Sequence, residues 1–482
     1  MLRINWTRKR IGLIGLVLLM MLGEWKCFRS AEQTFAHDLD RFNYGSLGAE
    51  LLAGIPYPIF AVLPQVFPDL LEHHATQGFG ARKAKPADYS AFGLAWEPAY
   101  PLPVGFSIKQ SGYARVTVNC ALCHTTVYRL QADDAARFAF GGAGHSANLQ
   151  GLFRFLFAAA HDSRFSADAL LPAIMEKFPL GWFDRAFYTA VLIPATRFGL
   201  KIAEGQLGWM NTKPAWGPGR DDAFNLPKYV LTQAPWDDTV GNTDFPALWR
   251  LGERSGHLMH ASGEARSVAT VVASSALGTG SLPFGDFEER NLWIEKFLSE
   301  LAPPPFPGTR NAVQAARGTS LFKTHCGACH ALGGARTGTA IPVAEIGTDP
   351  ERVQTWQPQH AERMNKVTGT LGMRNAELQG AKGYVARPLV GVWLLAPYLH
   401  NGSVPTLHDL LTPSAQRPQI FFRGYDVIDA DKVGFIATGP EAEAHGFRFD
   451  TRHRGNGNAG HDYGTKLPDV DKRALLEYLK TL

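Results

Sequence analysis

One five-residue pattern occurs twice and constrains this chain more than any other feature: Cys120-Ala121-Leu122-Cys123-His124 and Cys326-Gly327-Ala328-Cys329-His330. The two copies hold four of the five cysteines. Two thiols one helical turn apart can each add to a vinyl group of the same porphyrin. The adjoining histidine can then turn its imidazole up to the iron, so Cys-x-x-Cys-His reads as covalent haem c attachment. A zinc half-site or a thioredoxin-like redox pair also uses Cys-x-x-Cys. Zinc pairs that join in one site normally lie closer in sequence, and neither alternative needs a histidine after both second cysteines. The pattern predicts two covalently bound haem c groups, on Cys120, Cys123, Cys326 and Cys329, with His124 and His330 as proximal ligands.

At 482 residues the chain is too long for one haem domain and fits two or three domains. Its content, 45% hydrophobic and 19% charged, indicates a packed globular protein. Arg3, Arg8, Lys9 and Arg10 precede an uncharged apolar run, Ile11–Leu22, and charge returns at Glu24, Lys26 and Arg29. The run falls short of the ~20 residues that cross a bilayer, so it reads as a secretory signal, with an uncleaved N-terminal anchor as the alternative. Haem c is attached outside the cytoplasmic membrane, which agrees with export. The expected location is periplasmic or secreted, or attached to the inner membrane. Residues 1–30 carry six Lys/Arg and one Glu, a net of +5, against +4 for the whole chain. The remainder is therefore near −1 (+4 minus +5), and no basic stripe suggests nucleic acid.

The expected fold is mainly α: two cytochrome c-like haem domains with long irregular connections and few short strands. Residues 34–110 hold proline-rich turns and one helix-like stretch, Asp38–Leu52, and read as a mostly irregular wrap. Gly112–Asn119 alternates like a short strand. Leu149–Ala160 and much of 166–205 have helical apolar spacing, as does Asn291–Leu301. Pro303-Pro304-Pro305-Phe306-Pro307 is a stiff extended linker. Beyond it, an amphipathic helix over Asn311–Thr324 runs into the second motif, and Asp469–Leu482 supplies a closing helix. The domain reading is 1–30 signal or anchor, 31–302 N-terminal haem domain, 303–307 linker and 308–482 C-terminal cytochrome c domain, with an insertion around 411–460.

Several blocks support a resemblance: Gly217–Asn225, Ala386–Trp393, Ala396-Pro-Tyr-Leu-His-Asn-Gly-Ser-Val-Pro-Thr-Leu407, Phe422–Tyr425 and Asn458-Ala-Gly-His-Asp-Tyr-Gly464. With the twin motifs they resemble di-haem cytochromes related to bacterial cytochrome c peroxidases, closest to the rubber-oxygenase-like branch. The resemblance implies haems with unequal tasks. The N-terminal one, on Cys120, Cys123 and His124, would keep an open coordination site for peroxide or dioxygen. The C-terminal one, on Cys326, Cys329 and His330, would be six-coordinate and relay electrons.

For the second iron, His461 lies just before the closing helix, where small cytochrome c domains place the distal ligand. His400 is the rival, with Met373 third; no methionine follows Met373. His400, Arg220 and Arg387 are candidate propionate contacts, since a guanidinium grips a carboxylate bidentately. For the first iron, His145, His257 and His260 are candidates, each more plainly a surface or propionate histidine. The family's Trp-Asp-Gly is replaced by Ala261-Ser262-Gly263, and Glu264 is only a positional match for an acid/base glutamate. Trp249 and Trp393 are candidate conduits between the haems, and equally ordinary core. The functional expectation is an exported oxidoreductase supplied by a small cytochrome, a cupredoxin or a small oxidant. The alternatives are an electron-transfer cytochrome with both irons six-coordinate and, without positive support, a haem-based sensor.

Overall fold

The computed structural model describes residues 30–77 and 87–482. The leader or anchor, with Cys27, lies outside them. The protein is mainly α, with short strands in sheets of two or three.

The segment expected to be mostly irregular is helical over much of 38–76 and irregular over 93–105. It forms α1 (Asp38–Tyr44), α2 (Tyr57–Val66) and α3 (Pro68–Thr76). Pro58 and Pro68 sit in the first turns of α2 and α3, where a missing N–H costs no helical bond. Prolines that look like turn signals in sequence are therefore helix starts. Around them, β1 (Ile55–Pro56), β2 (Phe106–Ser111) and β3 (Tyr113–Val118) form an antiparallel sheet in the order β1-β3-β2. The alternating stretch at Gly112–Asn119 is indeed a strand.

This sheet delivers the first motif. Asn119 follows β3, and its side chain accepts from Ala121 N at 2.9 Å, capping the 3₁₀ turn Cys120–Leu122. Its amide donates to the carbonyls of Asn43 and Gly45 at the end of α1. Ile59, Phe60, Leu63, Phe67 and Leu71 then pack against α4 (Leu149–His161) and α5 (Ala167–Lys177) in one apolar cluster. After α6 (Trp182–Phe187), a single π turn, Tyr188–Leu192, leads without a break into α7 (Ile193–Leu207). The helix expected at Asn291–Leu301 is α8 (Phe287–Glu300).

In the second half, α9 (Ala312–His325) ends at the Cys326 motif and packs on α10 (Asp469–Leu479). The crossing is closest at Gly318, where a Cβ would overlap the Ala474 carbonyl. Gly318→Ala would gain up to about 1 kcal/mol of helix propensity, but it must push the two helices apart. A net loss of about 2 kcal/mol is expected in urea unfolding; unchanged stability would show that the crossing adjusts freely.

The proline run has no helix or strand, as expected, but it is pinned. Phe306 is buried, and Trp393 Nε1 donates to Pro304 O at 3.3 Å. One core cluster draws Tyr128, Ala139 and Trp249 from before the run and Phe322, Val392, Trp393 and Leu475 from after it. The two halves share apolar contacts rather than hanging on a spacer. The 411–460 segment adds small antiparallel pairs, including Ile420–Arg423 with Phe447–Asp450, and bridges Arg129 through Val427.

Candidate haem centres

Both motif histidines are tethered in the same way. His124 Nδ1 lies 2.7 Å from Pro246 O, and His330 Nδ1 lies 2.7 Å from Arg387 O. An Nδ1–H donating to a carbonyl fixes the tautomer and leaves Nε2 for a metal. The backbone closes each motif alike, through His124 N to Cys120 O (3.1 Å) and His330 N to Cys326 O (2.9 Å). Burial pushes the His124 imidazole down to about 4 and lowers His330 as well. Both are thus neutral near pH 7, as a ligand must be. The four motif cysteines are free of disulfides, and burial raises Cys120 and Cys326 to about 11. Among the described residues no cluster of His, Cys, Asp and Glu forms a metal-ion site.

Around the second motif, the ring of His461 faces that of His330. Their centroids are 6.1 Å apart and their planes tilt by 49°. Two imidazoles bound to one metal at about 2 Å each would place their centroids about 6 Å apart. Burial, then the neighbouring His330, lowers His461 to about 4, and its Nδ1 is buried without a partner. The backbone is held in an unusual shape here. Gly460 and His461 have φ of 72° and 50°, and His461 N donates to Ile346 O at 2.8 Å. A non-glycine residue in this region costs about 1 kcal/mol or more and persists only where its surroundings impose it. Arg417 does so: its guanidinium donates to the carbonyls of Asn458, Gly460 (both 2.7 Å) and His461 (3.3 Å).

His400 is placed elsewhere. Its ring stacks on Tyr384 at 3.8 Å, and its carbonyl accepts from Thr243 and Asp244. Burial, with the charges of Arg352, Arg220 and Arg387, drives it well below the usual histidine range. Met373 packs beside the buried Phe224 and Trp356.

The candidate propionate arginines divide. Arg220 is fully buried, and its donors go to Trp216 O, Ala215 O, Asn401 O and Asn456 Oδ1, so it braces the loops. No hydrogen bond or ion pair of the Arg387 guanidinium is seen among the described residues, and its charged neighbours are Arg352 and, opposing it, Asp244. Arg254 is lowered by burial and then by Arg387. Arg254 Nη2 and Arg352 Nε and Nη1 are buried without partners. Buried cations with idle donors call for an anion, and the propionates of a haem supply two. Arg254, Arg352 and Arg417 have no distinguishing sequence signal: they lie far apart in the chain and belong to no motif.

Around the first motif, the ring standing against His124 is Phe245, with centroids at 6.4 Å and planes at 63°. The three candidate histidines pack against other groups, but His145 Nδ1 and Nε2, His257 Nδ1 and His260 Nε2 are buried without hydrogen-bond partners. His145 stacks on Phe435 at 3.7 Å, His257 packs on Gly338, and His260, at φ 61°, faces Phe224 at 6.4 Å. Glu264 is fully buried, with Arg352 at 3.7 Å and no hydrogen bond to either carboxylate oxygen. Asp221 is pushed up to about 7 by burial and then by Asp222, and its charge bears on Cys123. Trp249 and Trp393 share one buried cluster, and each indole N–H is bonded to a carbonyl, Phe140 O and Pro304 O.

Close to Asp222 lies a structural network. The fully buried Lys228 ammonium contacts both Asp237 oxygens (2.9 and 3.0 Å) and Thr239. Burial alone would raise the Asp237 carboxyl, yet hydrogen bonds from Thr239, Lys228 and Tyr229 hold it well below the carboxylate range. Its stabilisation is therefore present above the unfolded value of about 4 and lost as pH falls through the depressed folded value. Asp237→Asn should cost about 2 kcal/mol at pH 7, because it leaves a buried ammonium uncompensated. The gap from the parent protein should shrink in acid, and equal unfolding midpoints at pH 7 would refute it.

The comparisons agree with a cytochrome. Residues 383–422 match a family model described as RoxA-like, cytochrome c-like. That segment contains Arg387, whose carbonyl tethers His330, and His400. The match supports a relation to these cytochromes and the binding of haem c. Two curated relatives from Sinorhizobium fredii are both described as uncharacterised. The protein y4iJ is 29% identical over 260 residues, covering 39% of this chain and 42% of its own. The protein y4iM is 30% identical over 283 residues, covering 50% and 64%. The chain thus spans less than two thirds of either relative.

Proposed function

We propose that this chain is an exported di-haem c-type cytochrome with one haem domain on either side of the proline run. It activates peroxide or dioxygen at the haem held by Cys120, Cys123 and His124. Cys326, Cys329 and His330 would hold a second haem, with His461 as the histidine available on its other side, and that haem would supply electron relay from a redox partner. One observation supports the division of labour: a second imidazole, that of His461, stands 6.1 Å from His330, whereas the aromatic ring beside His124 is the phenyl of Phe245, next to the tether Pro246. A haem with a free axial position supplies oxidant binding and electron transfer. The chain's own part is to keep His124 neutral by burial, to set its tautomer through Pro246, and to hold the His461 loop through Arg417. Asp221, with a pKa near 7, can take up or release a proton close to the first haem.

The test is ligand binding to the purified holoprotein. Cyanide, carbon monoxide or peroxide should change the absorption of one haem and leave the other untouched. No response in any redox state would favour the alternative, an electron-transfer cytochrome with both irons six-coordinate.

A further inference from the structure

The helical run from α6 through the π turn into α7 is apolar on two sides. Tyr188, Leu192, Ile193 and Leu200 are buried in the first core cluster. On the opposite side, Val191, Ala195, Phe198 and Ile202 follow one another at helical spacing, and Val191, Phe198 and Ile202 are 43%, 67% and 48% exposed. Trp182, at the start of α6, is 76% exposed. A helix apolar on both sides needs two apolar neighbours; the core supplies one.

What lies beside this ridge says what covers the other side. Ser30, the first described residue, bridges to Ser111 at the β2–β3 tip, and Ala31 N donates to Gln110 O at 3.2 Å. Across that tip, Tyr113 meets Phe187 of α6 edge-on at 6.4 Å. The apolar run Ile11–Leu22 therefore joins the fold next to the ridge, through Gly23–Arg29 alone. That linker reaches at most about 25 Å when extended. Arg185 and Lys201, both exposed, lie on these helices, Lys177, also exposed, ends α5 just before them, and Lys26 and Arg29 lie in the linker. Apolar and aromatic side chains rimmed by Lys and Arg, close to an inserted segment, suit the headgroup layer of a bilayer.

We infer that the α6–α7 ridge is a membrane-docking surface: Trp182, Val191, Phe198 and Ile202 enter the interfacial layer of a lipid bilayer, beside the point where residues 11–22 are inserted. The inference rests on residues 11–22 being a retained anchor. No described helix is long and apolar enough to span a membrane.

The test uses the full holoprotein with Cys27→Ser, which removes the one cysteine outside the haem motifs, and Phe198→Cys carrying an environment-sensitive fluorophore. Vesicles of phosphatidylcholine and phosphatidylglycerol should shift the label's emission to shorter wavelength. The same label at Glu362→Cys, exposed on the helix Pro358–Thr370, should not respond. Intact mass reports whether the leader is retained. Vesicle binding with the leader retained and no shift at 198 overturns the docking surface alone. A cleaved leader with no shift overturns both readings, and a shift despite cleavage supports the ridge by itself. A shift without vesicles, present from the outset or growing with protein concentration, overturns it in favour of the chain's own leader or a second copy of the chain.

Discussion

Replacing His461 with alanine should remove the low-spin, bis-histidine signature from one haem and leave the other unchanged. The effect should be large because, on the proposed reading, a whole axial bond would be lost, with the rival candidates placed elsewhere: His400 is stacked on Tyr384, and Met373 lies in the Phe224–Trp356 cluster. The reduction potential of that haem should change as well, since axial ligation is one of its main determinants. Arg417→Ala should give a milder form. It removes the donors that hold Asn458, Gly460 and His461 in place, so the left-handed backbone at Gly460–His461 can relax and the ligand bond should weaken without vanishing. Low-temperature absorption spectra check both variants. A His461→Ala protein with an intact bis-histidine spectrum would show that another residue holds the iron.

Gly105→Ala should cost the protein its first haem and spare the second. Gly105 has φ 93°, and a Cβ there would overlap the backbone of Leu122, inside the first motif. Its N–H donates to Asn43 O, and its carbonyl accepts from Asn119 N, both at about the usual distance. The same glycine therefore ties α1, β3 and the motif together. The substitution adds backbone strain of about 1–2 kcal/mol and a clash with main chain that cannot swing aside, for an expected loss of about 3 kcal/mol in all. Much of that falls on the turn that must present Cys120 and Cys123 for attachment. Haem per polypeptide should fall from two toward one, with the His330 haem retained. Two haems at parental stability would refute the coupling.

The parts of this structure visible in the sequence are those encoded locally. Cys-x-x-Cys-His states its chemistry in five residues, the apolar spacing of Ala312–His325 and Asp469–Leu479 shows on each helix, and His461 could be proposed from its distance to the closing helix. Pro58, read as part of a turn, instead lies in the first turn of a helix, because the same residue that breaks a helix also starts one. What stayed hidden depends on contacts between distant segments. Arg254, Arg352 and Arg387 come together only in the fold. Arg220 has the look of a propionate clamp, yet its donors are spent on Trp216, Asn401 and Asn456. His145 sits after a glycine cluster, and its ring stacks on Phe435, from the other half of the chain, a contact no local signal shows.

The central claim is that two identical motifs hold unequal irons. Electron paramagnetic resonance of the fully oxidised holoprotein tests it most directly. One low-spin haem, lost in His461→Ala, together with one high-spin haem that becomes low-spin on adding cyanide, is the expected result. Two low-spin haems, both unaffected by cyanide, would contradict it.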